Sequence, residues 1–267
     1  MKFEIFLINL DSDIDRLDFM DSQFKKSNLT YRRISAVNGR KFIEEFGTSS
    51  SRYMKEISDR LNGLSRPLSA GEVGCALSHN QCYEIIEAEG IDYALVFEDD
   101  VVLSDNFLYG IEDILKKCES RNYDFIQLTY PYVKNLSYIR HDLVNIFSIE
   151  LKKFKVNKNL KSLGRLFIAP VFNVFFNLRS YVLINYFKGI IKNAWRNYAG
   201  TGCYFINKRT ASYLSEMSSQ VIYSADILVV KHLFDNPNYD CHSYYPCIAR
   251  QDTQIFESSI DLMDKRS

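Results

Sequence analysis

Residues Tyr93 to Ser104 read YALVFEDDVVLS. The apolar run Ala94 to Phe97 has the length and composition of a strand, and it leads directly into three carboxylates, Glu98, Asp99 and Asp100, followed by Val101, Val102 and Leu103. The acids are therefore expected where a buried strand leaves a sheet, which is the end at which open α/β sheets bind ligands. Three adjacent carboxylates repel one another and are tolerated most easily beside a cation. Residues i and i+2 of an extended segment share a face, so Glu98 and Asp100 fall together. Two hard oxygen ligands side by side suit Mg²⁺ or Mn²⁺. A solvated acidic turn after a strand fits these three residues equally well, and the rest of the chain has to decide.

With 267 residues, 46% of them hydrophobic and only five prolines, the chain can bury a large core and shows no disorder signature. Its 33 basic and 33 acidic side chains cancel, which argues against a nucleic-acid binder. The zero hides an asymmetry: from Leu151 to Ser215 there are twelve Lys and Arg and no Asp or Glu. The six cysteines form no C-x-x-C pair, so zinc-ribbon and thioredoxin-like spacings are absent. No two of the four histidines have metalloprotease spacing, and Cys241, His242 and Cys247 read as core or loop residues. The opening MKFEIFLINLDSD carries Glu4 inside a short apolar run and no small-residue cleavage site, unlike a secretory signal. Reduced thiols and a cytoplasmic location are the expectation.

Taken in order, Phe3 to Asn9 reads as a first strand, Asn9 to Asp11 as a loop, and Ile14, Leu17, Met20 and Phe24 as a helix face with Arg16 in its first turn. Tyr31 to Val37 reads as a second strand ending in an Asn38-Gly39 turn, and Glu44 to Pro67 as a long polar loop. Ser69 to Glu89 is the clearest helix: Ser69 and Glu72 make an S-x-x-E capping box and Gly90 stops it. Gly71 and Gly74 in its first turns allow a close backbone approach, by a ligand or by the sheet. His79 lies within it, either as a satisfied polar residue or as a participant in chemistry. Phe107 to Cys118 and Asn207 to Met217 read as helices, as does Ser224 to Phe234 with Asp226 in its first turn. Asp124 to Thr129, Cys203 to Ile206 and Cys241 to Ile248 read as strands. Alternating strands and helices predict an α/β fold with a mostly parallel central sheet flanked by helices. No Walker or Rossmann phosphate loop is present, which disfavours a nucleotidyl- or phosphotransferase using the same triplet.

INLD with Arg16, AVNGR at 36–40, LSAGEVGCALSH at 68–79, ALVFEDDVVLS at 94–104, GTGCYFINKRTA at 200–211, SADILV around Asp226 and ARQ at 249–251 occur in consistent order. Together they resemble glycosyltransferase family 25, which includes bacterial lipopolysaccharide and lipooligosaccharide β-galactosyltransferases and collagen galactosyltransferases. The resemblance implies a GT-A fold, Rossmann-like and nucleotide-sugar-binding, in one domain over 1–267 with a basic amphipathic insertion at about 132–196. It implies a UDP-sugar donor, usually UDP-galactose, transfer with inversion to a glycan hydroxyl, and Mn²⁺ or Mg²⁺ as cofactor. The triplet matches the metal-binding D-x-D motif, with Glu98, Asp100 and Gln251 toward the metal. Asn9, Leu10, Asp11, Arg16, Ser78, His79, Asp99 and Arg250 are assigned to the donor nucleotide, and Gly200, Thr201 and Gly202 to the donor or acceptor sugar. Asp226 is the expected base, although Ser224-Ala225 stands where relatives commonly have Pro-Val or Pro-Ile. UDP-glucose or UDP-N-acetylglucosamine as donor, or an inactive nucleotide-binding module, are the alternatives.

Within the acid-free region Phe172, Phe175, Phe176, Val182, Leu183, Tyr186, Phe187, Ile190, Ile191 and Trp195 recur at helical spacing, with Lys188, Lys192 and Arg196 spaced by four. The longest uncharged run, Leu166 to Leu178, is too short to span a bilayer, which needs about 20 residues. A basic aromatic segment at 151–196 suits docking onto the anionic cytoplasmic face of a bacterial inner membrane. Packing against the main domain or a second subunit is the other reading.

Overall fold

The computed structural model of the chain describes residues 1–45, 68–129, 200–218, 221, 223–234, 236–245, 247–251 and 255, and for 189–192 and 245 the main chain alone. The strands are β1 Phe3–Asn9, β2 Arg32–Ser35, β3 Tyr93–Glu98, β4 Val101–Leu103, β5 Phe125–Gln127, β6 Gly189–Lys192, β7 Cys203–Asn207, β8 Cys241–Tyr245 and β9 Ala249–Gln251. Among the described residues the helices are α1 Ile14–Lys26, α2 Ala70–Ala88, α3 Phe107–Cys118, α4 Lys208–Ser218 and α5 Ala225–Val229, the last running into a π-helical turn at Val230–Phe234, with a further helical stretch at 39–45.

Among the described residues seven strands form one sheet in the order β2-β1-β3-β7-β5-β8-β6. Strands β1, β2, β3, β5 and β8 point the same way, whereas β7 and β6 run against them. The sheet is thus the mostly parallel α/β sheet that the alternation of strands and helices predicts.

The alternation of side chains along each strand supplies a core on both faces. Ile5 and Leu7 of β1, Leu95 and Phe97 of β3 and Phe205 of β7 pack with Met20 and Phe24 of α1 and with Ile111 and Ile114 of α3. Phe6, Ile8, Ala94, Val96, Tyr204 and Ile206, in the other phase, pack with Tyr83 and Ile86 of α2, Leu214 of α4 and Leu228 of α5.

The expected start and stop of α2 are present: Ser69 Oγ accepts from the Glu72 amide, Glu72 reaches back to the Ser69 amide, and Gly90 turns the chain at φ +64°. Asn207 caps α4 by accepting from the Thr210 amide.

Three expectations are corrected. Asn38-Gly39 is not a turn into a loop. Asn38 accepts from the Lys41 amide with its side chain and from the Phe42 amide with its carbonyl, so a helix starts and covers 39–45, with Phe42 and Ile43 packed near Leu68 and Val73. The remainder of the expected polar loop, 46–67, lies outside the described residues. Residues Gly189–Lys192, read as part of a helical face, form edge strand β6 paired antiparallel to β8, because Ile190 and Ile191 are β-branched and suit a pleat as well as a helix. The rest of the basic insertion at about 132–196 also falls outside the described residues. The strand expected over Cys241–Ile248 is β8, Cys241–Tyr245, and the residues after it, not read as a strand, form β9, Ala249–Gln251, which leaves the main sheet to pair with β4.

Candidate functional site

Strand alternation continues past the end of β3 and sends the triplet in two directions. Glu98 keeps the phase of Ala94 and Val96 and faces α2, where His79 stands; Asp99 keeps the phase of Leu95 and Phe97 and faces α1, where Arg16 stands.

Glu98 Oε1 accepts from Thr201 Oγ1 at 2.6 Å and pairs with His79 Nε2 at 3.1 Å. Thr201 reaches it because β7 is antiparallel to β3 and begins where β3 ends; the Glu98 amide donates to the Gly202 carbonyl at 2.8 Å. With Oε1 engaged, Oε2 turns toward Gln251, whose Nε2 donates to Glu98 Oε2 at 2.8 Å and to Asp100 Oδ1 at 3.3 Å. The short antiparallel pair β4–β9 puts Gln251 opposite Val101 and so beside Asp100. A Cβ on Gly202 would lie 2.5 Å from Cγ and Cδ of Gln251, so this glycine makes room for the glutamine; Gly200 lies beside it and accepts from Gln127 through its carbonyl.

Asp99 is buried and takes no part in that pair. Its Oδ1 accepts from Arg16 at 2.7 Å and its Oδ2 from Asn9 Nδ2 at 2.8 Å. Asn9 Oδ1 accepts from Arg33 Nε, and Arg33 and Ser35 both donate to Asp11. The loop after β1 is thereby tied to β2 on one side and to the triplet on the other.

The titration behaviour follows from this wiring. Burial works to raise the Glu98 pKa, but the hydrogen bond and charge of His79, with help from Thr201 and Arg16, hold it below the usual value. Burial and then the negative charge of Glu98 push Asp100 up to about 7, against the smaller help of Arg16 and Gln251. Burial also raises Asp99, and Arg16 and Asn9 offset only part of it. Two carboxylates that share a neutral amide and crowd each other in this way, with oxygen as the donor atom throughout, fit a hard divalent cation. Glu98 and Asp100 would hold it, with Gln251 able to contribute its carbonyl after an amide rotation.

A cleft opens beside the triplet, lined among others by Asn9, Leu10, Arg16, Gly39, Gly71, Gly74, Cys75, Ser78, His79 and all three acids. Gly74 and Gly39 touch backbone to backbone, since a Cβ on Gly74 would stand 2.5 Å from the Val37 carbonyl oxygen and 2.7 Å from the Gly39 nitrogen. Ser78 Oγ accepts from the Val37 amide and donates to the Gly74 carbonyl, so Ser78 is tied to the protein's own loop.

Asp226 is not among the residues that line this cleft, but it stands near enough for its charge to act on Cys75. The Cys75 thiol, raised first by burial, is raised further by the charges of Glu98, Asp226, Asp100 and Glu72. Asp226 Oδ1 accepts from Ser224 Oγ at 2.5 Å and from the Ile227 amide at 2.8 Å, and Oδ2 has no partner among the described residues. Arg250 stands exposed on the face of β9 opposite the buried Ala249.

Sequence reasoning had no hold on three participants. Cys75 reads as an ordinary core residue, and the i, i+4 spacing to His79 is the one signal that could have flagged it. Gln23 of α1 clamps β4 by donating to the Val101 carbonyl and accepting from the Leu103 amide. Tyr204 bonds to His79 Nδ1 at 2.8 Å from within the core.

The model of glycosyltransferase family 25 (LPS biosynthesis protein) matches residues 2–229. The lipooligosaccharide biosynthesis protein lex-1 of Haemophilus influenzae is 29% identical over 202 residues, 73% of this chain and 53% of that protein. A probable inactive glycosyltransferase 25 family member 3 of Rattus norvegicus is 34% identical over 119 residues, and procollagen galactosyltransferase 1-A of Xenopus laevis 29% identical over 126. These two matches take in 42% and 46% of this chain but only 20% of each relative, so the chain corresponds to about a fifth of their length. A solved glycosyltransferase involved in glycosylation of the major capsid of PBCV-1 superposes with a TM-score of 0.42 at 9% identity, covering 100% of this chain and 98% of that one, too loosely to bear on function. The motifs of the site and the match across residues 2–229 agree, and the chain belongs to glycosyltransferase family 25.

Proposed function

We propose that this chain is an inverting, divalent-metal-dependent hexosyltransferase that moves galactose from UDP-galactose to a sugar hydroxyl of a lipooligosaccharide or lipopolysaccharide glycan. The observation that carries this reading is the Glu98–Asp100 pair, which shares one amide at the carboxyl end of β3 in a cleft whose Cys75 feels the charge of Asp226. Bound there, Mn²⁺ or Mg²⁺ would supply Lewis-acid stabilisation to the charge that develops on a departing diphosphate.

The chain's own side chains carry the remaining roles. Asp226 accepts the proton of the acceptor hydroxyl while that oxygen bonds to the anomeric carbon and the bond from that carbon to the diphosphate breaks. Thr201 and His79 hold Glu98 in place. Arg16, pinned by Asp99, lines the cleft and brings its positive charge toward the phosphates, and the Asn9–Asp11 loop flanks the base. Enzymes that extend lipid-linked glycans work at a membrane, and the basic stretch 151–196 is the surface we assign to anionic lipid on the cytoplasmic face.

The test is donor hydrolysis by purified protein with UDP-galactose, UDP-glucose and UDP-N-acetylglucosamine, with Mn²⁺ or with excess chelator. UDP release should be fastest from UDP-galactose and should vanish in chelator and in Asp100→Ala. Full activity in chelator would remove the metal from the mechanism. The occurrence of inactive members among the relatives favours one second reading, a nucleotide-binding module without turnover, for which UDP would bind and no nucleotide sugar would be consumed.

A further inference from the structure

Next to the oxygen-donor pair lies a second set of ligand atoms with different chemistry. Cys75 and His79 are one helical turn apart on α2 and share a face, and that face meets Glu98 at the end of β3. Cys75 Sγ, a ring nitrogen of His79 and a carboxylate oxygen of Glu98 all lie within 4.8 Å of one another. We propose that these three side chains form a binding site for Zn²⁺ or a similarly thiophilic divalent cation, and that the ion, by engaging Glu98, inhibits the transferase.

The ligand set argues for this class of ion. One sulfur, one imidazole and one carboxylate with a fourth position left open are the make-up of a tetrahedral zinc site, and sulfur selects against Mg²⁺ and Mn²⁺. His79 Nε2 and Glu98 Oε1 are 3.1 Å apart, close to the separation of two ligands on one tetrahedral ion.

The surroundings argue the same way. A ligating histidine needs its second nitrogen held by a partner, and His79 Nδ1 faces the buried Tyr204 hydroxyl at 2.8 Å, which donates to Tyr83 at 3.3 Å. The Cys75 thiol has no hydrogen-bond partner among the described residues and lines the cleft. The charges of Glu98, Asp226, Asp100 and Glu72 converge on it, a field that favours a cation at that point. Binding exchanges the thiol proton for the metal: the S–H bond breaks, the S–metal bond forms, and one proton goes to solvent.

Zinc binding stands on this geometry alone, whereas the inhibitory consequence rests on the reading of Glu98 as a ligand of the catalytic cation. Cobalt separates the two. Titrating Co²⁺ into the reduced, metal-free full-length protein should give a thiolate-to-cobalt charge-transfer band that saturates at one equivalent and that Zn²⁺ abolishes. Cys75→Ser and Cys75→Ala should lose the band, Cys247→Ser should keep it, and Tyr204→Phe should weaken affinity by roughly 10- to 100-fold. In the unaltered protein, Zn²⁺ but not Mg²⁺ should protect Cys75 from alkylation, read by peptide mass spectrometry. Absence of the band, or an undiminished band in Cys75→Ser, would overturn the site. With Mn²⁺ present, Zn²⁺ should suppress UDP release, and Cys75→Ser should need at least tenfold more Zn²⁺ for the same suppression. A Cys75-dependent cobalt band together with chelator-insensitive donor hydrolysis would leave the zinc site standing and remove the Glu98–Asp100 metal assignment.

Discussion

Glu98 and Asp99 are neighbours with opposite tasks, and the pleat of β3 decides which is which. Glu98 is oriented from two sides through one oxygen, so its second oxygen is aimed at Gln251 and Asp100. Removing one of those anchors should loosen the aim without removing the ligand. Thr201→Val, close in shape but without the hydroxyl, is expected to weaken Mn²⁺ binding by roughly 10- to 100-fold, measured by titration calorimetry in the presence of UDP. Unchanged affinity would mean that His79 alone positions Glu98. Asp226 is the residue whose role is most directly separable from binding. Asp226→Asn keeps the shape and removes the base, and turnover should fall by about 10² to 10⁴ while the dissociation constant for UDP stays within a few-fold. Near-normal turnover would assign the base to another residue.

Two elements meet at the cleft with no side chain between them. The 39–45 helix and α2 touch through Gly39 and Gly74, and Ser78 bonds the Val37 amide beside them. Nothing there can give way cheaply, because the atoms facing Gly74 belong to the main chain. Gly74→Ala should therefore destabilise the protein by about 1–3 kcal/mol, the usual range for overpacking, seen as a lower urea midpoint with unchanged slope. A neutral result would show that the 36–45 segment shifts freely on α2. The β4–β9 pair poses the opposite case. A methyl on Gly202 would meet the flexible Gln251 side chain, so Gly202→Ala should fold normally and lose divalent-cation affinity through displacement of the glutamine. Equal loss of stability and affinity would point to a purely structural glycine.

At the scale of the molecule the uneven charge distribution matters more than the net charge of zero. Twelve basic residues between Leu151 and Ser215 stand without an acid, while among the described residues no helix is long and apolar enough to cross a membrane. Because β6 places Lys192 on a strand, the basic excess itself, and not a continuous helical face, supports membrane docking. The protein should sediment with anionic but not neutral liposomes, with binding that falls steeply as salt rises, since each Lys or Arg near such a surface contributes about 1 kcal/mol. Replacing Lys188, Lys192 and Arg196 with Gln should reduce binding and leave donor hydrolysis intact. Equal partitioning onto both vesicle types, or none, would assign the stretch to core or subunit contacts.

The sequence by itself determined the elements and the chemistry at the end of β3. Periodicity marks β1, α1, α2 and α3 almost to the residue, because these segments are amphipathic or uniformly apolar and their ends carry local signals such as the Ser69–Glu72 box and Gly90. The triplet is legible for the same reason, since three charges after an apolar strand have few places to go. Only the tertiary structure decided which partners those charges meet. Thr201 reaches Glu98 because β7 runs against β3, Gln251 reaches Asp100 because β9 leaves the main sheet for β4, and Cys75 and His79 join them through the packing of α2 on the sheet. These contacts span 19 to 151 positions of chain. Local propensity has no term for pairing direction or for such separations, which are settled by how strands and helices bury their apolar faces together.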